Sequence, residues 1–338
     1  MREQAHRYRG NRMTDVLAGL IQASPFYLLV AFVATRARTL AREGRPVPTY
    51  RLALIAAGVA VGIAADLPPV GTASEERLSV HMLQHMLIGD LAAFLIVIGM
   101  TGPLLQPILV KPGIRRLRWL AHPLVAVPLW ITVYYAWHLP ALYQAALHSD
   151  VVHATEHATM FAAGLALWMG LLGPLPKPAW FGNAAGLAYV IVVRFAGTVI
   201  ANVFLWSSSP FYPDYVALAR AHGIDAAEDQ SLAGAIWMVE GSVVTICVLG
   251  WLFVRWMRQG EEAQELVEYA SARGISLDPA RARRAVAAGA GARLRARLDS
   301  EDGAPEHDRD ADDDGDREHV EQEAEGLRLR PQRVDHRM

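Results

Sequence analysis

The feature that most constrains this chain of 338 residues is a series of seven apolar stretches, at residues 16–35, 52–67, 78–100, 120–138, 153–172, 184–206 and 232–254. Most hold about the 20 residues needed to cross the hydrocarbon core of a bilayer. Inside a bilayer every backbone N–H and C=O must find its partner within the chain, which leaves helices and closed barrels. The stretches lack the two-residue alternation and turn spacing of a barrel. The sequence therefore predicts an all-α integral membrane protein, a bundle of seven transmembrane helices. The shortest stretch, 52–67, contains Gly58-x-x-x-Gly62, a spacing that lets a neighbouring helix come close. The first stretch is as long as a full span and has no small-x-small cleavage site after it, so no cleavable signal peptide is expected.

Charge is placed unevenly along this framework. Residues 1–254 carry 17 Lys/Arg and 14 Asp/Glu, whereas the remaining 84 carry 15 and 20. The sequence thus divides into an N-terminal tail (1–15), a membrane domain (16–258) and a charged tail (259–338). Nothing in the small net charge of −2 suggests nucleic acid as a partner. The tail is Ala/Arg-rich to about 298 and then acidic around Asp312-Asp313-Asp314. Residues 261–298 are expected to form one or two helices without a packed core, and 299–338 to be disordered. A single cysteine, Cys247, rules out an internal disulfide and every Cys-x-x-Cys motif; it is expected to be a buried, inert thiol in the seventh span.

Basic residues in the short connections set the orientation. The 36–51 connection holds Arg36, Arg38, Arg42, Arg45 and Arg51, and the 111–118 connection holds Lys111, Arg115, Arg116 and Arg118. Both belong in the cytoplasm, with the C-terminus. The 68–77, 139–152 and 207–231 connections are mainly acidic and face outward, with the N-terminus. Arg2, Arg7, Arg9 and Arg12 in the N-terminal tail pull against this arrangement, and the later loops outweigh them.

With that topology, the histidines fall largely on one side. His81, His85, His138, His148, His153, His157 and His222 all lie toward the outside, and only His122 is clearly inside. His81 and His85, and again His153 and His157, are four apart at the outer entrances of the third and fifth spans, which places each pair on one helical face. His138 closes the outer end of the fourth. Three neighbouring helices then present imidazoles at one level, as a partly wet rim suited to a metal ion. Met82 and Met86, beside the first pair, are candidate thioether ligands that favour copper(I), with core packing as the plain alternative. Glu156 is a ligand or an orienting group for His153 or His157. Asp66, before Pro68-Pro69, reads as a helix-end residue.

A second group lies deeper. Counting 1.5 Å per residue, Asp90 is about 13 Å inward from His81, Glu240 about 12 Å and Arg194 about 18 Å inward from the outer ends of their spans. A lone charge at such depth is costly, so a buried ionic network pairing Arg194 with Asp90 or Glu240 is expected, either fixing helix packing or forming an ion path. Asn202 could join either group.

These residues also carry a resemblance. Ser79-Val80-His81-Met82-Leu83-Gln84-His85-Met86, running on to Gly99 and Pro103, resembles the signature of the CtaG-type multi-span membrane factors for cytochrome c oxidase assembly. The likeness continues through Tyr135-x-Trp137-His138-Leu139-Pro140-x-Leu142-Tyr143, His153-x-x-Glu156-His157, Phe211-Tyr212-Pro213 and Asp229-Gln230-x-x-Ala233-Gly234. It covers roughly residues 75–245 and leaves the charged tail outside. The resemblance implies a seven-helix protein of the bacterial plasma membrane needed for an active haem-copper oxidase, with copper handling as its mechanism. His81, His85, His138, His153, Glu156 and His157 match the family's motif positions.

The expectation is therefore a non-enzymatic assembly factor that binds copper at the outer histidine rim and helps supply it to an oxidase subunit, with a copper donor protein as a further partner. A copper transporter using Asp90, Arg194 and Glu240 and a b-type haem protein are the alternatives. A membrane di-iron enzyme is disfavoured because the chain has no adjacent histidine pair. A retinal protein is disfavoured because Lys111 and Lys177, the only lysines, are both in loops.

Overall fold

The computed structural model describes residues 20, 22–111 and 118–302. The expected N-terminal tail and most of the segment expected to be disordered, 299–338, lie outside the described residues; its first four residues, 299–302, are helical instead. Within them the chain is helical and contains no strand. In order come α1 (Ser24–Arg42), α2 (Thr49–Asp66), α3 (Val70–Glu76), α4 (Leu78–Gly99), α5 (Gly102–Leu109), a 3-10 turn (Arg118–Ala121), α6 (Pro123–Trp137), α7 (Pro140–His148), α8 (Asp150–Leu171), α9 (Asn183–Trp206), α10 (Pro213–Ala221), α11 (Ala226–Ser271), α12 (Pro279–Ala287) and α13 (Gly291–Asp302).

By length and apolar composition, α2, α4, α9 and α11 can each cross a membrane. The pair α6 and α7, bent by 69° at the break before Pro140, adds a fifth if it counts as one span. The other two stretches predicted as spans do form helices, but more polar ones. The C-terminal half of α1 carries Arg36, Arg38 and Arg42, and α8 carries Asp150, His153, Glu156 and His157. Ionisable groups lower the mean hydropathy of both. α6 is 15 residues long, about 22 Å at 1.5 Å per residue, short of a hydrocarbon core of about 30 Å.

The chain divides into two compact units at residues 252 and 253. The core of the first forms where small residues let backbones meet. A Cβ on Gly164 of α8 would strike the Gly89 carbonyl in α4, and one on Gly89 would strike the Tyr134 hydroxyl of α6. Those two glycines therefore set how closely α4, α6 and α8 approach. The glycines of the predicted Gly58-x-x-x-Gly62 motif face different partners: Gly58 lies against the Ala92 carbonyl and Ile96 of α4, and Gly62 against the Phe26 ring of α1. Residues 87–92 of α4 form a π-helical turn, a widening that is frequent at functional sites.

Three connections read from the sequence as loops fold as the short helices α3, α7 and α10. Pro140 and Pro213 open α7 and α10, where proline's missing N–H costs nothing and its φ suits the first turn. Cys247, expected to be buried, is exposed on α11.

In the second unit, residues 263–298 share a small core of Ala263, Leu266, Ala270, Leu277, Ala282, Val286, Leu294 and Leu298, where the sequence suggested helices without one. Alanines at the contact points allow close approach, so a few leucines suffice. The Tyr269 ring is covered by the guanidinium groups of Arg273 and Arg295, 3.6 and 4.2 Å from its centroid.

Gly164→Ala should lower the stability of the detergent-purified protein by about 1–3 kcal/mol through overpacking, seen as a lower melting temperature. Gly186→Ala, whose Cβ would meet Leu171 at an ordinary 3.5 Å, should melt with the wild type. Equal melting of all three would contradict the close α4–α8 approach.

A candidate metal centre of buried histidines

The start of α4 fixes the first two imidazoles. Asp229 of α11 accepts hydrogen bonds from the Leu78 backbone N–H (2.8 Å) and the Ser79 hydroxyl (2.5 Å), satisfying free groups at the helix N-terminus from another helix. Gln84 then donates to the Ala65 carbonyl at 3.0 Å and ties α4 to the end of α2. His81 and His85 project from the same face, their Nε2 atoms 2.9 Å apart.

α8 brings the second pair to the same point. His153 and His157 have ring centroids 4.3 Å apart, and the His81 ring lies 5.2 Å from His153 and 6.3 Å from His157. One nitrogen from each of His81, His85 and His157 falls within 4.8 Å of the others; so do single ligand atoms of His81, His153 and Glu156. His138, at the bend between α6 and α7, adds a ring 5.8 Å from that of His85. The five histidines read from the sequence as one rim are thus brought together. Glu156 makes no hydrogen bond to His153 or His157. Its carboxylate faces α4, 3.6 Å from His85 Nε2 and 3.9 Å from His81 Nε2.

The rim is not wet. His81, His85, Glu156 and His157 are 1%, 1%, 0% and 4% exposed. The helices α3, α7 and α10 close over the cluster: Tyr143 of α7 lies 5.0 Å from His81, ring to ring, and stacks on Tyr212 at 4.0 Å. Tyr215 of α10 donates to the Ser74 carbonyl of α3 at 2.6 Å and meets His81 Nδ1 at 2.9 Å. Burial pushes the Tyr215 and Tyr212 hydroxyls above their ordinary values, so both stay protonated. Reading the outer connections as loops missed this cover.

The hydrogen bonds fix which ring nitrogens carry protons. Because the Tyr215 proton goes to Ser74, its oxygen accepts from His81 Nδ1–H. His157 Nδ1 faces Asp66 Oδ1 at 3.1 Å, and His138 Nδ1 lies 2.6 Å from the Tyr134 carbonyl. Each of these three rings holds a proton on Nδ1 and a lone pair on Nε2, and that of His81 accepts from His85 Nε2–H at 2.9 Å. His157 Nε2, His138 Nε2, His85 Nδ1 and both Glu156 oxygens are buried with no hydrogen-bond partner. His153 differs: its Nδ1 accepts from the Gln22 side-chain amide at 3.3 Å, which puts its proton on Nε2, also buried without a partner.

Asp66 is the site residue that sequence reasoning missed. It is 4% exposed and holds His157 from 91 residues away. The available signal was its level: an acid at the outer end of a span, at the height of both histidine pairs. Met82 and Met86 are buried in the apolar core, about 100° around α4 from the histidine at the preceding position. His148 pairs with Asp214 outside the cluster, 3.1 Å apart. His222 is exposed, and Asn202 bonds within its own helix to Thr198 and Trp206.

The deeper group is separate. Asp90 accepts from the Trp168 indole at 2.8 Å and its carboxyl interacts with that of Glu240. Arg194 donates to the Met238 carbonyl (3.2 Å) and the Ser242 hydroxyl (2.8 Å), and Glu240 feels its charge without a hydrogen bond. Asp90 and Arg194 line one cavity of about 40 Å³.

Buried ring lone pairs on His85 Nδ1, His138 Nε2 and His157 Nε2, together with both Glu156 oxygens, have no hydrogen-bond partner, and such acceptors are the chemistry of a cation site. Metal-ligating histidine characteristically donates its other ring N–H to a carboxylate or carbonyl, as His157 and His138 do here. The sequence model of the cytochrome c oxidase caa3 assembly factor family (Caa3_CtaG) matches residues 26–259. No curated protein and no solved structure matches the chain.

Nitrogen-15 NMR of the histidine rings at neutral pH should show His81, His138 and His157 with protonated Nδ1. His122, whose Nδ1 accepts from the Leu124 N–H at 3.3 Å, should show the opposite tautomer. A cluster of Nε2–H rings would remove the lone pairs from the centre.

Proposed function

The chain belongs to the cytochrome c oxidase caa3 assembly factor family, and from that premise we propose that it binds copper, as copper(I), at the buried histidine cluster and assists its delivery to an oxidase subunit. Copper is the cargo and the protein acts without catalysis. In this reading α1, α8 and the bent α6–α7 pair complete a seven-helix bundle in the bacterial plasma membrane, with the cluster toward the outside.

The observation that carries the proposal is the set of three imidazole nitrogens from His81, His85 and His157 within 4.8 Å of one another. Three neutral imidazoles in a site closed to water suit copper(I), which accepts low coordination numbers and soft or borderline ligands. His138, His153 and Glu156 are close enough to receive the ion as it moves through the site. Glu156 also supplies the negative charge that a buried cation needs. Met82 and Met86 serve the site as packing around α4 and, if the helix turns, as thioether ligands. Asp66 and Tyr215 hold rings in the ligating tautomer.

The same geometry favours copper over haem. An axial pair from two helices would be His85 and His157, whose ring centroids are 5.5 Å apart, which leaves little space for a porphyrin between them. Transport across the bilayer would need a route from the cluster to Asp90 and Glu240, and the 40 Å³ cavity there is lined by Trp130, Trp168 and Trp237 and none of the clustered histidines.

Copper bound per chain, measured by elemental analysis of detergent-purified protein loaded with copper(I), should fall from about one to background in His81→Ala with His157→Ala. Asp66→Asn should keep the ligands but weaken affinity about 10- to 100-fold, the usual effect of losing a partner to a metal-bound histidine. Unchanged copper in the double variant would end the proposal. Cells carrying it should assemble an oxidase deficient in copper, and copper uptake into proteoliposomes would point instead to transport.

A further inference from the structure

The proposed function gives no role to two acids deeper in the bundle, Asp90 in the π-helical turn of α4 and Glu240 on α11. Both helices are long and apolar enough to cross a membrane, and the two carboxyls are hydrogen-bonded to each other. An ionised carboxylate has no hydrogen to give, so that bond requires a proton on one of the acids. The surroundings supply no other partner for Glu240: among the described residues no donor reaches either of its oxygens. The Tyr134 hydroxyl of α6, 0% exposed, is also unpartnered. It packs against Gly89, next to Asp90, and feels the charge of both acids. On the Asp90 side the Trp168 indole of α8 donates to the carboxyl at 2.8 Å. Arg194 of α9 acts on Glu240 through charge and gives its N–H groups to the Met238 carbonyl and the Ser242 hydroxyl.

We infer that Asp90 and Glu240 form a proton-binding site inside the bundle, holding one proton between them as a carboxylic acid on Glu240 that donates to the carboxylate of Asp90. Two carboxylates that share a site do not both ionise, and a net charge inside a membrane is costly. One proton on the pair leaves a single negative charge, which Arg194 balances. The indole donor favours that charge on Asp90, so the proton stays with Glu240. The Tyr134 hydroxyl faces the pair as a further donor. This site is separate from the histidines and does not depend on what they bind. A sodium ion would bring the same charge as the proton, so the test separates the two.

Infrared difference spectra of the full chain in nanodiscs at neutral pH, wild type minus variant, read the proton directly. Glu240→Gln should remove the C=O stretch of one protonated carboxylic acid, a band that moves to lower frequency in deuterium oxide. Adding Asp90→Asn to that variant should remove no second acid. Asp90→Asn alone should shift the band, because the proton of Glu240 then meets an amide in place of a carboxylate. Glu156→Gln should leave the band where it is, since that carboxyl belongs to the histidine cluster. Melting temperatures identify any variant that fails to fold, and the shift in Asp90→Asn keeps the site testable if Glu240→Gln is one of them. Replacing choline chloride with sodium chloride should not alter the band. A spectrum unchanged by Glu240→Gln, a second acid lost in the double variant, a band unmoved by Asp90→Asn, or bleaching by sodium would each overturn the site.

Discussion

Imidazoles on two helices can share one ion only if the helix backbones come close, and here the contact between Gly89 and Gly164 sets that distance. With no Cβ at either position, α8 lies against the carbonyl of the π-helical turn in α4. Nearer the helix starts, the His81–His85 pair then meets the His153–His157 pair at ring separations of 5.2 to 6.3 Å. Other contacts refine the arrangement. Asp229 holds the first turn of α4, Gln84 joins it to α2, and Tyr134 brings the α6 end, with His138, against the same glycine.

Closing this site is energetically unfavourable unless something occupies it. Each buried polar atom left without a partner costs about 1–3 kcal/mol, and the cluster holds several. The hydroxyls and carbonyls of the cover satisfy only the outer edges of the rings. A ligand that binds the folded site alone therefore stabilises the fold by mass action, and the cover formed by α3, α7 and α10 has most to gain. The same cover means that an ion cannot enter or leave without movement of Tyr143 or Tyr215. In the proposed function, exchange of the ion would require movement of short helices whose packing is aromatic, through the 4.0 Å stack of Tyr143 on Tyr212.

Much of the site was legible because its spacing is helical. His81/His85 and His153/His157 repeat at four, so each pair shares a face whatever the tertiary fold, and the apolar stretches placed the pairs at one level. Partners from distant sequence were not legible. Asp66 reaches His157 across 91 residues and Asp229 reaches Ser79 across 150, distances no local pattern reports. The wet rim expected from the sequence became a closed chamber because the outer connections contain helix-opening prolines and aromatic residues that fold back. Arg194, expected to pair with an acid, hydrogen-bonds a carbonyl and a hydroxyl on α11 and meets Glu240 through charge alone, and Asp90 and Glu240 are neighbours. Depth alone ranks such residues by height and says nothing of their rotation about the helix. The span count shows the same limit: α8 is too polar to pass as a membrane helix on composition because it carries the site.

The polarity of α8 bears on the charges placed at its two ends. A helix carries a partial positive charge at its N-terminus and a negative one at its C-terminus. Its first turns hold His153, Glu156 and His157, so a cation there is opposed by the helix dipole. Glu156 and, through His157, Asp66 place two carboxyl groups where they would offset that field for the cation proposed to bind there. Near the other end, Lys177 bonds the Leu171 carbonyl and answers the negative end of the helix. Acids thus stand at the end of α8 where the helix field is positive, and a base at the end where it is negative.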